Sequence, residues 1–320
     1  PGVYGQASPN MNAGDLRTRG YEITLAWNDS FSLARKPFRY GISASLADSK
    51  AKITRYDNPD KSLSSYIEGR DIGEIWGYHI EGLFRNDAEA AARPVDQSKV
   101  NNHIYNGATG EYRGLKGGDL IYADLDDNGK VDQGDYTLSN PGDLRVIGNS
   151  RPRWHYNFNA NLSWYGFDVA LFFQGIGRQH IYPGANNMMF WGPYARPYAS
   201  FIPKTILTDV WSEENPDAYF PKVRGYSRAD GGSLGQVNDR YLQNLAYLRL
   251  KNVTVGYTIP ENLTRKIHVD KIRVYFSGDN LATWTKLKSD YLDPEQMTSD
   301  PNGRVYPFSK TYSFGLDITF

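Results

Sequence analysis

Apolar and polar residues alternate with a period of two along much of this chain, the pattern of a strand with two different faces. Tyr21, Ile23, Leu25 and Trp27 alternate with Glu22, Thr24, Ala26 and Asn28. Phe38, Tyr40, Ile42, Ala44 and Leu46 do the same against Arg39, Gly41, Ser43, Ser45 and Ala47. The longest run sets Trp154, Tyr156, Phe158, Ala160, Leu162 and Trp164 against Arg153, His155, Asn157, Asn159, Asn161 and Ser163. Phe167, Val169, Leu171 and Phe173 follow after the turn signal Tyr165-Gly166. Strands are expected near 20–29, 37–49, 153–164, 167–176, 244–258, 270–283 and 309–320, seven in all. In the fifth, the apolar parity switches between Leu250 and Val253, which predicts a bulge near Lys251-Asn252.

The connections alternate in length. Residues 29–37, 165–166 and 259–270 are short or moderate, whereas 50–152, 177–243 and 284–309 are long. Short turns at one end and long loops at the other are the asymmetry of an outer-membrane barrel. The polar face is built of small residues such as Asn, Ser, Gly and Thr, which suit a crowded or water-filled lumen. Trp154 and Trp164 lie ten residues apart on the apolar face. With the strand tilted by about 45°, they span roughly 23–24 Å of membrane normal, near the height of an apolar band with aromatic girdles. Trp154, Phe158, Leu162, Phe314 and Ile318 are therefore expected on the lipid side. The fold class expected is all-β, a segment of a transmembrane antiparallel barrel with long extracellular loops. A soluble extracellular β-sandwich that binds carbohydrate with structural calcium is the alternative, and a second sheet over the apolar faces would distinguish it. A passive porin is a third reading, disfavoured by the length of the loops.

Composition narrows this further. The 320 residues carry 36 Lys and Arg against 36 Asp and Glu, a zero net charge that gives no basic footprint for nucleic acid. The absence of Cys excludes disulfides, thiol nucleophiles and Cys-ligated zinc. No run reaches the length of a transmembrane helix. Single-chain bacterial barrels have an even number of strands, about eight or more, so further strands are expected ahead of Pro1. The apolar stripe Tyr312, Phe314, Leu316, Ile318 and Phe320 would close the barrel, with Phe320 at the periplasmic rim.

Catalytic patterns are weak. His79, His103, His155, His180 and His268 are scattered, with no metal-binding His pair, no nucleophile elbow and no phosphate-binding loop. The carboxylates of residues 119–135 sit on one turn rather than across a cleft as a glycosidase pair would. No enzyme activity is expected.

The sharpest local motif is Asp124-x-Asp126-x-Asn128-Gly129-Lys130-Val131-Asp132-x-x-Asp135. Oxygen donors at Asp124, Asp126, Asn128, the Lys130 carbonyl, Asp132 and Asp135, with Gly129 at the sharp turn, fit the spacing of a calcium loop. Asp135 departs from that pattern, which has a bidentate Glu at the last position. The plain alternative is a solvated acidic turn. Loop aromatics form a second candidate set. Trp76, Tyr78, Trp191, Tyr194 and Tyr198 could stack on a substrate, or they could form the small cores that hold long loops together.

Several motifs together resemble the C-terminal barrel part of SusC/RagA-type TonB-dependent transporters. They are Asn12-Ala13-Gly14-Asp15-Leu16-Arg17-Thr18-Arg19-Gly20-Tyr21-Glu22, Gly73-Glu74-Ile75-Trp76-Gly77-Tyr78 with Glu81-Gly82-Leu83-Phe84, and Gly118-Asp119-Leu120 leading into the acidic turn. Ile147-Gly148-Asn149-Ser150-Arg151-Pro152-Arg153-Trp154, Tyr247-Leu248-Arg249-Leu250-Lys251-Asn252-Val253, Val274-Tyr275-Phe276-Ser277-Gly278-Asp279-Asn280-Leu281 and Asp293-Pro294-Glu295 complete the set. The resemblance covers essentially residues 1–320. It implies import of oligosaccharides, other glycans or peptides across the outer membrane, with a SusD-like lipoprotein lid and TonB as energy source. It also implies a plug domain and N-terminal strands, neither of which is found in this sequence.

Overall fold

The computed structural model describes residues 12–101, 114–196, 198, 202, 204, 206–228, 232–289, 292–306 and 308–320. His103 lies outside them. The alternating segments form seven long strands: β1 (Gly14–Leu33), β2 (Lys36–Tyr56), β3 (Arg153–Trp164), β4 (Phe167–Arg178), β5 (Tyr247–Thr258), β6 (Lys271–Thr285) and β7 (Thr311–Thr319). Each pairs antiparallel with the next in sequence, so the seven make one meander. At β5, Leu250 faces Phe173 while Asn252 faces Phe172, which leaves Lys251 as the extra residue of the expected bulge.

The register sorts side chains by face. One row across the sheet reads Tyr40, Leu162, Val169, Val255, Phe276 and Phe314. The neighbouring row on the other face reads Asn28, Gly41, Asn161, Ala170, Thr254, Ser277 and Ser313. No second sheet covers the apolar face among the described residues: on the inner strands Ile42 is 43% exposed and Val255 39%. Bare apolar surface of this extent marks a lipid-facing wall rather than half of a sandwich. Phe31 and Phe38 (5.0 Å between ring centroids) and Phe167 and Tyr257 (4.6 Å) form an aromatic girdle beside the short turns. Phe320 follows Thr319 at this same rim. At the opposite rim the Trp154 ring lies between the guanidinium groups of Arg153 (5.4 Å) and Arg178 (5.2 Å).

The first hairpin differs from expectation at three places, the first being that its leading strand starts at Gly14 rather than residue 20. The connection expected over 29–37 is a two-residue turn at Ala34 and Arg35, both with positive φ (51° and 62°), the twist that suits a tight hairpin. The second strand runs to Tyr56 rather than residue 49. Beyond the apolar band its outward positions are Lys50 and Lys52, so the strand continues where the hydrophobic alternation has stopped.

On the polar face, Arg273 of β6 reaches over β5 to Asp168 of β4 (2.6 Å) and also pairs with Asp317 of β7 (3.2 Å). The crossing is open because Gly256 lies between; a Cβ there would strike both the guanidinium and the Asp168 carboxylate.

The hydrophobic core is in the loops, not in the sheet. Trp191, Tyr194, Tyr122, Tyr241, Leu120, Leu234 and Leu245 are fully buried there. Short ladders tie the loops together: Glu74–Gly77 with Arg145–Asn149, Ile80–Leu83 with Leu120–Tyr122, and His180–Ile181 with Gln243–Asn244. No helix among the described residues is long and apolar enough to cross a membrane.

Candidate functional site

Long loops on a barrel can act only if something holds their shape, and here aromatic packing does. Tyr194 stacks on Phe220 (5.6 Å), Phe220 on Tyr241 (5.7 Å), and Trp191 meets Tyr241 edge-on (5.5 Å). Each polar handle is satisfied: Tyr194 Oη donates to the Pro221 carbonyl (2.6 Å), and Trp191 Nε1 to that of Gly184 (3.1 Å). Burial drives the phenols of Tyr78, Tyr122, Tyr194 and Tyr241 well above the ordinary tyrosine range, so all stay neutral donors.

This placement divides the five aromatic candidates. Tyr78, Trp191 and Tyr194 are core residues with no free ring face, which corrects their assignment to substrate stacking. Trp76 is half-buried, with the Arg70 guanidinium 5.3 Å from its ring. Tyr198 is 79% exposed, with Tyr226 6.2 Å away. Those two retain surface for a ligand.

The acidic turn is joined by hydrogen bonds among its own residues. Asp124 accepts from the Gly129 amide (2.8 Å), and Asp126 from the Asn128 side chain (3.0 Å). Asn128 Oδ1 accepts from the Lys130 amide (3.0 Å), and Lys130 Nζ pairs with Asp132 (2.9 Å). Asp135 turns away and accepts from Asn140 Nδ2 (2.8 Å). The residue that joins instead is Asp143, whose carboxylate lies with those of Asp124 and Asp126 within 4.8 Å of one another. Asp143 is buried and accepts from the amides of Leu125 (2.6 Å) and Asp132 (2.8 Å). Burial, with the nearby charges of Asp126 and Asp124, pushes its carboxyl above the ordinary range despite those two bonds. No twelve-residue spacing could have revealed Asp143; it enters because Pro141 and Gly142 fold the chain back, Gly142 with φ 54°.

Where the loops meet the sheet, a concavity of about 700 Å³ is lined by Glu74, Arg151, Arg153, His155, Arg178 and His180. Its walls are stitched by the Ile147–Trp154 motif. The Ser150 amide donates to the Gly73 carbonyl (2.7 Å), Asn149 Nδ2 to that of Ile72 (3.0 Å), and Gln179 Nε2 to that of Ser150 (2.9 Å). Arg153 forks Asp48 with two bonds of 2.5 Å.

Known proteins resemble this chain in sequence and in fold. TonB-dependent receptor P3 of Formosa agariphila is 24% identical over 345 residues, covering the whole chain and 30% of that receptor. The TonB-dependent receptor SusC of Bacteroides thetaiotaomicron is 21% identical over 323 residues, again covering the whole chain and 28% of its own length. The structure of the RagAB peptide transporter superposes with a TM-score of 0.64 at 19% identity, over all of this chain and 31% of that one. Over its whole length the chain is similar to a barrel segment of SusC-type TonB-dependent receptors. No family model matches it. It spans about a third of the length of the relatives it matches. A SusC-type barrel lies in the bacterial outer membrane, which accounts for the bare apolar wall. The relatives are receptors and transporters rather than enzymes, in keeping with the weak catalytic patterns.

Proposed function

We propose that this segment forms part of the wall and the extracellular loop assembly of an importer of glycans or peptides. In this reading TonB supplies energy through parts of the protein beyond this segment, and a SusD-like lipoprotein covers the long loops. The observation that carries the reading is the division of labour between the two ends. The strands leave their apolar face bare toward lipid, while the described residues of 57–152, 179–246 and 286–310 fold around a shared aromatic core above a polar wall. Loops with a core of their own are suited to present fixed groups to a large solute and to a lid.

The test is uptake by cells carrying the intact transporter, with fluorescent oligosaccharide and peptide mixtures offered separately. Uptake of one class should vanish when TonB or the neighbouring lipoprotein is deleted. Trp76→Ala and Tyr198→Ala should each reduce it while the barrel still assembles. Uptake that survives loss of TonB would replace this reading with a passive pore.

The acidic turn supports a second, independent proposal. Asp124, Asp126 and Asp143 supply only carboxylate oxygens, the donors that calcium prefers. Bound there, calcium would neutralise converging carboxylates and fix the turn against the loop core.

A further inference from the structure

The outward face of β1 and β2 changes character abruptly at the long-loop end. From Tyr21 toward the short turns, its paired residues include Ile23 with Leu46, Leu25 with Ala44 and Trp27 with Ile42. On the same parity beyond Tyr21, Arg19 faces Lys50 and Arg17 faces Lys52. Like charges directly opposite each other on a sheet are destabilising, so four cations in two facing pairs need a counter-charge. The acids in the adjoining rows, Asp48 opposite Tyr21 and Asp15 beyond Arg17, are taken by Arg153 and Arg55, and one further acid reaches the four cations. Asp71, bridged to the strand beside Lys52, pairs with Lys50 at 2.7 Å. Arg17, Arg19 and Lys52 have no ion pair among the described residues, and Lys50 and Lys52 are exposed although their strand is flanked on both sides, by β1 and by residues 69–72. Together with Thr54 and Asp71 they line a shallow concavity of about 280 Å³.

Depth identifies the counter-ion. At about 3.3 Å per residue and a tilt near 45°, Arg19 stands roughly 5 Å and Arg17 roughly 9 Å beyond the edge of the apolar band at Tyr21. That is the level of lipid headgroups, on the face turned to lipid and at the rim of the long loops. Arginine forks match phosphate oxygens in pairs, and lysine adds point charge. We propose that Arg17, Arg19, Lys50 and Lys52 form a binding site for the phosphate of an anionic lipid in the leaflet on the long-loop side. The inference rests on the reading of the apolar face as the lipid-facing wall.

The test uses the intact protein in nanodiscs of phosphatidylcholine containing a minor fraction of phosphatidic acid. After mild delipidation, lipids that remain bound are counted by mass spectrometry. The wild type should retain phosphatidic acid in preference to phosphatidylcholine. The combined variant Arg17→Gln, Arg19→Gln, Lys50→Gln and Lys52→Gln should lose at least roughly tenfold of that preference, since each basic group near an anionic lipid surface adds severalfold. Arg19→Gln alone, which keeps three cations, should show an intermediate loss and serves if the combined variant does not assemble. An unchanged preference in both variants overturns the proposal. Release of the acidic lipid by millimolar inorganic phosphate also overturns it, because the site would then be one for free anions. A Leu25→Cys probe in the same discs separates the two levels of the argument. Labelling by a water-soluble maleimide would defeat the membrane reading itself; protection of Leu25→Cys with an unchanged lipid preference defeats only the phosphate site.

Discussion

Arg249 of β5 holds Glu295 of the last long loop at 2.7 Å, and it does so with a side chain only 2% exposed. The same guanidinium pairs with Asp293 and lies 4.7 Å from the Phe308 ring. Two motifs far apart in sequence, Tyr247–Val253 and Asp293-Pro294-Glu295, are thus the two halves of one clamp. It draws Asp293 and Glu295 of that loop down onto the polar wall. Arg249→Met keeps the volume but strands two carboxylates, with only Lys251 (2.8 Å) left for Glu295. Breaking a buried pair from one side costs about 3–5 kcal/mol. The loop should become sensitive to protease between 286 and 310 while the barrel keeps its heat-dependent electrophoretic migration.

Leu25 and Thr24 test the two faces of one strand. Leu25 shares the bare apolar face with Ala44, while Thr24 bonds Ser45 across the polar face at 2.9 Å. Leu25→Arg should destabilise the barrel in lipid by about 2–4 kcal/mol, the cost of an arginine near the bilayer midplane. Thr24→Arg should cost far less. Reversible denaturant titration in phospholipid vesicles would measure both, and equal costs would contradict the assignment of faces.

What the sequence made legible follows from where periodicity is enforced. Inside the apolar band each residue faces either lipid or lumen, so the register and even the Lys251 bulge can be read from parity. Past Tyr21 and Lys50 neither face meets hydrocarbon, and the strands run on without a hydrophobic signal. The loops are opaque for a different reason. Trp191 and Tyr198 look alike in sequence, yet one is fully buried and the other 79% exposed, because burial depends on partners such as Tyr241 from a distant segment. Asp143 escaped notice likewise: it completes the acidic cluster by folding back, not by spacing.

The acidic turn gives a prediction that separates spacing from structure. If calcium is bound by the carboxylates that converge, Asp143→Asn should weaken it at least about tenfold, as should Asp124→Asn. Asp135→Asn should leave affinity nearly unchanged, because that carboxylate is engaged by Asn140. Calorimetric titration of the intact protein with calcium, after removal of bound metal by a chelator, would rank the three. A large loss with Asp135→Asn and none with Asp143→Asn would restore the twelve-residue loop. No uptake by the wild type would leave a plain acidic turn.

His180 provides a pH dependence with a definite sign. Its Nδ1 accepts a hydrogen bond from the Asn149 amide (3.2 Å), so the ring is neutral in the folded loops. Burial, and then the positive charge of Arg178, lower its pKa below the ordinary value of 6.5. The unfolded chain therefore binds a proton before the folded one does as pH falls. The contribution of this contact to stability is complete above about pH 6.5 and is lost as pH falls from there toward the lowered value. Protonation also removes the acceptor and frees the Asn149 amide. That amide is close to Ser150 and Gln179, whose bonds pin the wall of the concavity, so local opening should spread to them. Hydrogen exchange of 145–150 and 179–181 should accelerate on acidification through this window. His180→Asn, which keeps an acceptor near the position of Nδ1 but cannot titrate there, should flatten the profile. An unchanged pH profile in His180→Asn would assign the effect to another group.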